Sequence, residues 1–157
     1  MERTSDQGPP TGWRRAVARA PIVLYRRGLG ALLGRRLVYL VHTGRRSGRR
    51  RDVVLEVVRR DGDAVIVCSG FGTAAAWYRN VVANPDVTLQ SGRRRTAARA
   101  TPLDVDTGED LMADYGRRHP KLAARLARVM GFRVDGSDED YRALGREVRF
   151  VRLDPSA

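Results

Sequence analysis

The alternation of apolar and polar positions predicts a run of strands between residues 37 and 103. Residues 37–43, 52–60 and 64–69 are rich in β-branched side chains, and Asp61-Gly62-Asp63 supplies the turn between the last two. Residues 87–91 and 93–103 predict a further hairpin about Gly92. A short helix separates these groups, which we expect Thr73 to cap and Asn84-Pro85 to end.

The two ends of the chain have helical patterns. Residues 1–12 are polar and rich in Gly and Pro, which predicts a disordered arm, and residues 13–33 predict a basic amphipathic helix interrupted at Pro21. Thr107 to Asp110 has capping-box spacing for a helix that reaches His119. The later helices and the closing strand are predicted at 120–130, after Ser137, and at 147–153.

This order of elements predicts an α+β fold, a small and mostly antiparallel barrel of about six strands with an N-terminal helix and C-terminal helices. At 157 residues the chain is long enough for one hydrophobic core, which we place in a single domain over residues 13–154. Each apolar stretch is shorter than the roughly 20 uncharged residues that a membrane span needs, so we expect no membrane-spanning segment. The N-terminus lacks the apolar core of a signal peptide. A lone Cys68 in an apolar run is typical of a reducing compartment, so we expect a cytoplasmic protein.

The net charge of the chain narrows the classes of partner that it is expected to bind. The chain has 30 basic and 18 acidic residues, a formal net charge of +12, and every basic residue except Lys121 is arginine. The arginines concentrate in the first two thirds of the chain, which favours an anionic partner such as phosphate, polycarboxylate, nucleic acid or lipid headgroups. Nucleic acid is the least favoured of these because the basic residues lack interleaved aromatic side chains.

Two segments carry the most specific signal. The first, TGRRSGRRR, places five arginines around Gly44, Ser47 and Gly48 at residues 43–51. The second, AAAWYRNVVANPDV, opens on Trp77 and Tyr78 and reaches Asn84-Pro85. A glycine-containing loop turns its amides toward an anion, and arginine grips phosphate or carboxylate with two hydrogen bonds. The pair of segments is typical of a site for an anionic cofactor with a planar ring.

Together these motifs resemble the deazaflavin-dependent nitroreductase family, whose members read TGRKSG-x-x-R and later AWY-x-N and ANP. The match runs from about residue 37 to 103, with Arg46 in place of the lysine. The resemblance implies a split β-barrel that binds the deazaflavin coenzyme F-420, with FMN as the less favoured alternative. It implies hydride transfer between that coenzyme and a small acceptor such as a quinone or nitroaromatic, and it implies a homodimer.

Within this interpretation, each candidate has a functional and a structural alternative. We expect Arg45, Arg46 and Arg51, with Ser47 and Gly48, to hold the acidic part of the coenzyme. The glycine-containing turn after residue 68 could accept a planar ring, or could need glycine only for the turn. Trp77 is expected beside the pocket, and Asn80 hydrogen-bonds the loop or the cofactor. The cofactor-binding prediction thus comprises Arg45, Arg46, Ser47, Gly48, Arg51, Ser69, Gly70, Phe71, Gly72, Trp77 and Asn80.

Tyr115, beside His119, is the candidate proton donor, with a purely structural helix residue as the alternative. His42 is interpreted as structural. We find no spacing of metal ligands, no Ser-His-Asp set and no Walker loop. The competing function is a non-enzymatic barrel that binds a lipid, another flavin or a tetrapyrrole, while the basic N-terminal helix contacts the inner face of the membrane.

Overall fold

Six antiparallel strands form a closed barrel in the computed structural model, which describes residues 1–4, 27 and 34–156. The strand order around the barrel is β2-β3-β4-β8-β6-β5, with β2 pairing to β5 to close it. The predicted α+β barrel is thereby confirmed. The strands are β1 Glu2–Arg3, β2 Leu37–Thr43, β3 Arg50–Asp61, β4 Ala64–Ser69, β5 Asp86–Ser91, β6 Arg94–Pro102, β7 Phe132–Arg133 and β8 Arg149–Pro155.

Four α-helices accompany the barrel in the described residues. The first follows β4 after a short 3-10 turn at Gly72–Ala74, and the other three lie between β6 and β8. Asn84 ends the first helix and Ser137 caps the last one, as predicted. The helices are α1 Ala76–Ala83, α2 Val105–Arg118, α3 Pro120–Val129 and α4 Asp138–Glu147.

Alternation along the strands produces two large apolar cores and a small third cluster at Tyr39 and Val41. Inward side chains such as Leu40, Val67 and Leu153 fill the barrel, and Val81 of α1 packs on them from one end. Outward side chains, among them Phe150 of β8, pack with α2, α3 and α4 into a second core. Strand β8 contributes to both because successive side chains point to opposite faces.

Two local predictions about helix starts are wrong. Thr73 does not cap α1, which begins at Ala76 after Ala75 without a side-chain cap. Helix α2 begins earlier than the Thr107 signal indicated, because the Asp104 side chain accepts the Thr107 N–H at 2.7 Å. Asp104 and Thr107 are both residue types that cap helices, and the hydrogen bond to Asp104 places the start of α2 at Val105.

The predicted disordered arm is also corrected at its start. Glu2–Arg3 forms β1 and pairs antiparallel with β7, and the Thr4 N–H donates to the Gly131 carbonyl at 2.7 Å. A two-residue strand of polar side chains leaves no periodic signal in the sequence. Residues 5–12 of the arm, and the predicted helix at 13–33 apart from the isolated Arg27, lie outside the described residues.

Candidate functional site

The arginine loop, residues 44–49, is the tight connection between β2 and β3. The Gly44 N–H donates to the Arg49 carbonyl and the Gly48 N–H to the Gly44 carbonyl, both at 2.8 Å. Gly48 has a positive φ, +65°, which favours glycine. Gly44 does not, and is needed for close approach instead, because a Cβ there would lie 2.7 Å from Ser47 Oγ.

Positive charge accumulates on this loop and on the start of β3. Arg46 of the loop and Arg51 of β3 are exposed, whereas Arg45 is half-buried. Burial lowers the pKa of the Arg45 guanidinium, and the neighbouring charges of Arg79 and Arg46 lower it further. Arginine remains protonated despite such shifts, so the loop holds like charges together. A bound anion would relieve that repulsion.

Asn80 of α1 joins the two sequence motifs. Its Oδ1 accepts hydrogen bonds from both the backbone N–H and the guanidinium of Arg45, each at 3.1 Å. Asn80 is 5% exposed, so these bonds are sheltered from water. The short helix that carries Trp77 therefore fixes the position of the arginine loop.

The same amide determines the state of His42. A backbone N–H can only donate, so Asn80 Oδ1 must face Arg45 and its Nδ2 must face His42 Nδ1, 3.2 Å away. His42 Nδ1 therefore accepts, and the neutral ring carries its proton on Nε2. Burial lowers the pKa of His42 to about 4, although the Asp52 carboxylate acts in the opposite direction.

The sequence analysis missed this Arg45-Asn80-His42 network, although it expected His42 to be structural. A usable signal was present. His42 continues the inward-facing alternation of Val38 and Leu40 in β2 and directly precedes the loop. What the sequence could not show was that α1 folds over this strand end.

The glycine-containing turn, residues 69–72, lies at the same end of the barrel. The buried Ser69 hydroxyl donates to the Gly72 carbonyl at 2.8 Å. A Cβ at Gly70 would meet Met130 Sδ at 2.9 Å, and one at Gly72 would meet the Glu147 carbonyl at 2.9 Å. Gly72, with a φ of +53° and a backbone carbonyl as its neighbour, is therefore required by the fold, whereas the flexible Met130 side chain could yield to a Cβ at Gly70. The structural alternative is thus favoured for Gly72. Phe71 between them is half-buried.

Trp77 and Tyr78 pack against the inner core at one end of the barrel, and their rings are not coplanar. Their rings meet edge to face, with centroids 6.1 Å apart and an angle of 85° between the planes. Both side chains are partly buried against the inner core. This geometry supports the expectation that Trp77 lies beside the loop as a packing residue.

Tyr115, the predicted proton donor, does not lie at the end of the barrel that carries the arginine loop. It is 2% exposed in the outer core, and its hydroxyl donates to Glu56 Oε1 of β3 at 2.8 Å. Burial and that carboxylate raise the pKa of Tyr115. A hydroxyl so engaged on the outer wall of the barrel is poorly placed to protonate an acceptor near the arginine loop.

Barrel topology accounts for the grouping of the other candidates. The loop between β2 and β3, the turn after β4 and helix α1 all emerge from one end of the barrel. All eleven predicted cofactor-binding residues lie there. Within the described part of the chain, no three His, Cys, Asp or Glu side chains are grouped as metal ligands, and no helix is long and apolar enough to span a membrane.

Fold and site together define a split-barrel protein with a cationic loop at one end. The model of the F420H(2)-dependent quinone reductase family matches residues 17–134, so the chain belongs to that family. Membership confirms the predicted resemblance and, for the family, the enzyme class and the cofactor. A Mycobacterium tuberculosis protein that carries the name of the same family is 33% identical over 69 residues, 43% of this chain and 58% of that protein. The chain thus spans less than two thirds of this curated relative.

Solved structures agree on the fold. An F420-H2-dependent reductase superposes with a TM-score of 0.50 at 22% identity, over 76% of this chain and 95% of its own. A pyridoxamine 5'-phosphate oxidase-related, FMN-binding protein from Nostoc punctiforme superposes with a TM-score of 0.55 at 18% identity, over 94% of this chain and 82% of its own. A structure described as a domain-swapped dimer superposes with a TM-score of 0.52 at 21% identity, over 86% of this chain and 100% of its own.

Proposed function

We propose that this protein is a deazaflavin-dependent oxidoreductase that passes a hydride from reduced coenzyme F-420 to a small organic acceptor, with a quinone as the first candidate. Family membership supports the reaction class. The observation that carries the proposal is the double hydrogen bond of Asn80 to Arg45, which holds the cationic loop against the Trp77 helix. Two motifs that are separate in sequence thereby form one site.

The residues at this end suit the chemistry of the coenzyme. F-420 carries a phosphodiester and a glutamate tail, and the exposed Arg46 and Arg51 offer guanidinium groups for both. Arg45 is already held by Asn80, so it acts chiefly as a positioning residue. When bound, the reduced coenzyme would supply the hydride, and the protein's part is to bind and orient it. We place its ring toward Trp77 and the turn at residues 69–72.

Coenzyme binding can be tested by fluorescence quenching of F-420 on titration with the protein at low salt. We expect Arg46→Gln and Arg51→Gln each to weaken binding by about tenfold, because each removes a charge-assisted hydrogen bond. Raising the salt concentration should weaken binding by the native protein more than binding by either variant. FMN titrated in parallel should bind more weakly than F-420.

The matched control is Arg99→Gln. Arg99 is an exposed arginine of β6 paired with Asp86, so its removal changes the net charge equally without touching the arginine loop. If Arg99→Gln weakens F-420 binding as much as Arg46→Gln, the loop is not the coenzyme site. Saturable binding followed by oxidation of the reduced coenzyme with a soluble quinone would establish the reaction. Binding without turnover on quinones or nitroaromatics would favour the non-enzymatic alternative.

Location and assembly belong to the same proposal. We place the protein in the cytoplasm, with the basic segment at residues 13–33 contacting the inner face of the membrane, since arginines there would meet anionic headgroups. Flotation with anionic but not neutral vesicles tests this contact. A homodimer is also proposed, supported by the domain-swapped dimer among the similar folds. A solution mass equal to one chain at micromolar concentration would refute it.

A further inference from the structure

A cavity lies at the end of the barrel opposite the arginine loop. In the described part of the chain it has a volume of about 340 Å³ and sits between the start of β2 and the β3-β4 and β5-β6 hairpins. Gly34, Gly62 and Gly92 turn the chain around its mouth with positive φ. Among the described residues, no atom lies within 4 Å of the position that a Cβ would take at any of them, so this part of the chain leaves the mouth open.

The lining combines an apolar floor with a cationic rim. Val65 and Leu89 of the inner barrel core contribute the floor. Arg35, Arg60 and Arg94 stand against Asp63, the single acid among the described lining residues. Three guanidinium groups and one carboxylate leave an excess of positive charge beside a water-poor surface.

Arg60 is fixed in place before any ligand arrives. Its Nη2 donates to the Arg35 carbonyl and to Ser91 Oγ, the latter at 3.0 Å, which links the start of β2 to the end of β5. A guanidinium held by the backbone in this way loses little conformational freedom on binding an anion. Arg94 on the other side is anchored by Asp63 at 3.3 Å.

A basic groove continues from this cavity onto the outer wall. The groove shares Arg35 and Arg60 with the cavity, and Arg36, Arg59 and Arg118 add to it. Its one acid among the described residues, Asp114, is paired with Arg118. Arg36 is paired with Glu56 at 3.3 Å, so the excess positive charge of the groove comes from Arg35, Arg59 and Arg60. This excess draws anions toward the cavity mouth.

We propose that this cavity binds a small amphiphilic anion, with a ring or short chain over Val65 and Leu89 and a carboxylate or phosphate head at Arg60 and Arg94. The volume is at the lower end of the range for small-molecule sites, which limits the ligand to a single ring or a short chain. The site is separate from the coenzyme loop by the length of the barrel. Its occupation depends on neither the proposed hydride transfer nor F-420.

The probes are benzoate, phenyl phosphate and benzyl alcohol, titrated into the full chain by calorimetry at low salt. We expect saturable binding of at least one anion, and binding of benzyl alcohol weaker by about tenfold or more, because the alcohol lacks the charge that the arginines recognise. Comparing the affinities of benzoate and phenyl phosphate shows whether the site prefers a carboxylate or a phosphate group. Equal binding of the alcohol, or no saturable binding of either anion, would overturn the proposal.

Arg94→Gln and Arg99→Gln form a matched pair for locating the site. Both arginines belong to β6, both side chains are 65% exposed, and each pairs with an exposed aspartate. Arg94→Gln should weaken anion binding about tenfold while Arg99→Gln leaves it unchanged. Thr96→Phe should block binding by filling the cavity that Thr96 lines. Equal effects of the two glutamine variants would refute the location, as would unchanged binding by a folded Thr96→Phe protein.

Discussion

Asn80 has both a donor and an acceptor, and the site uses both. Leucine would fill the same space but would leave the buried His42 Nδ1 without a partner, which costs about 1 to 3 kcal/mol, and would also remove the acceptor of the half-buried Arg45 N–H. Aspartate would keep the bond to Arg45 but could not donate to a neutral imidazole. The residue type is thus specified by a cation on one side and a neutral base on the other.

His42 predicts a pH dependence of stability. Its folded pKa of about 4 lies below its ordinary value of 6.5, so between these values the unfolded chain binds a proton that the folded chain does not. Stability should therefore fall as pH decreases from about 6.5 to about 4, by about 3 kcal/mol in total. Urea unfolding at a series of pH values, compared between the native protein and His42→Gln, measures this contribution.

The control for the histidine experiment is His119→Gln, since His119 is exposed and is the other histidine of the chain. We expect the pH dependence of this variant to match that of the native protein. If His42→Gln keeps the full loss of stability between pH 6.5 and pH 4, the neutral buried imidazole assigned to His42 is incorrect.

At the scale of elements, helix packing depends on glycines that the sequence does not mark as special. Helices α2 and α4 approach closely at Gly116 and Gly145, where a Cβ would lie 2.2 Å from the Tyr141 ring and 2.7 Å from Glu109 Cα. Glycine lowers helix propensity, so a pattern of propensities treats these positions as weak points. Here the absence of a side chain at these glycines allows the two helices to pack closely over the outer core, at the cost of some helix propensity.

Gly116→Ala should destabilise the protein by about 1 to 2 kcal/mol, because the clash with Tyr141 outweighs the gain in helix propensity. Denaturant unfolding measures the loss. In a Tyr141→Ala background the same change should become neutral or stabilising, since the colliding ring is gone. A loss of the same size in both backgrounds would show that Tyr141 is not the cause.

At the scale of the whole molecule, β8 couples the barrel to its helical layer. Phe150 faces the outer core and Leu153 the inner core, and both are almost completely buried. Neither core can lose this strand without opening the other, because β8 also pairs with both β4 and β6. Barrel and helices should therefore unfold together.

Phe150→Ala and Leu153→Ala test that cooperativity. We expect each to cost about 2 to 5 kcal/mol through the cavity it leaves. For both variants, circular dichroism of the helices and tryptophan fluorescence should report one coincident transition. Loss of the helical signal in Phe150→Ala at a lower denaturant concentration than the fluorescence change would contradict a shared cooperative unit.

Sequence alone determined the alternation of the barrel strands, the turns at Gly62 and Gly92, the end of α1 at Asn84, and the place of the arginine loop between two strands. These depend on neighbouring residues, whose spacing and backbone preferences act locally. The pairing of Glu2–Arg3 with β7 depends on contacts across the fold, whereas the Asp104 cap of α2 is a local signal that the sequence analysis missed.

The tertiary structure likewise decided which candidates meet. Barrel closure placed His42, Arg45 and Asn80 together while leaving Tyr115 on the outer wall with Glu56. It also formed the arginine-lined cavity at the far end, from hairpins that are distant in sequence. Such contacts depend on strand order and on the burial that sets the charge state of each group, and neither can be read from local spacing.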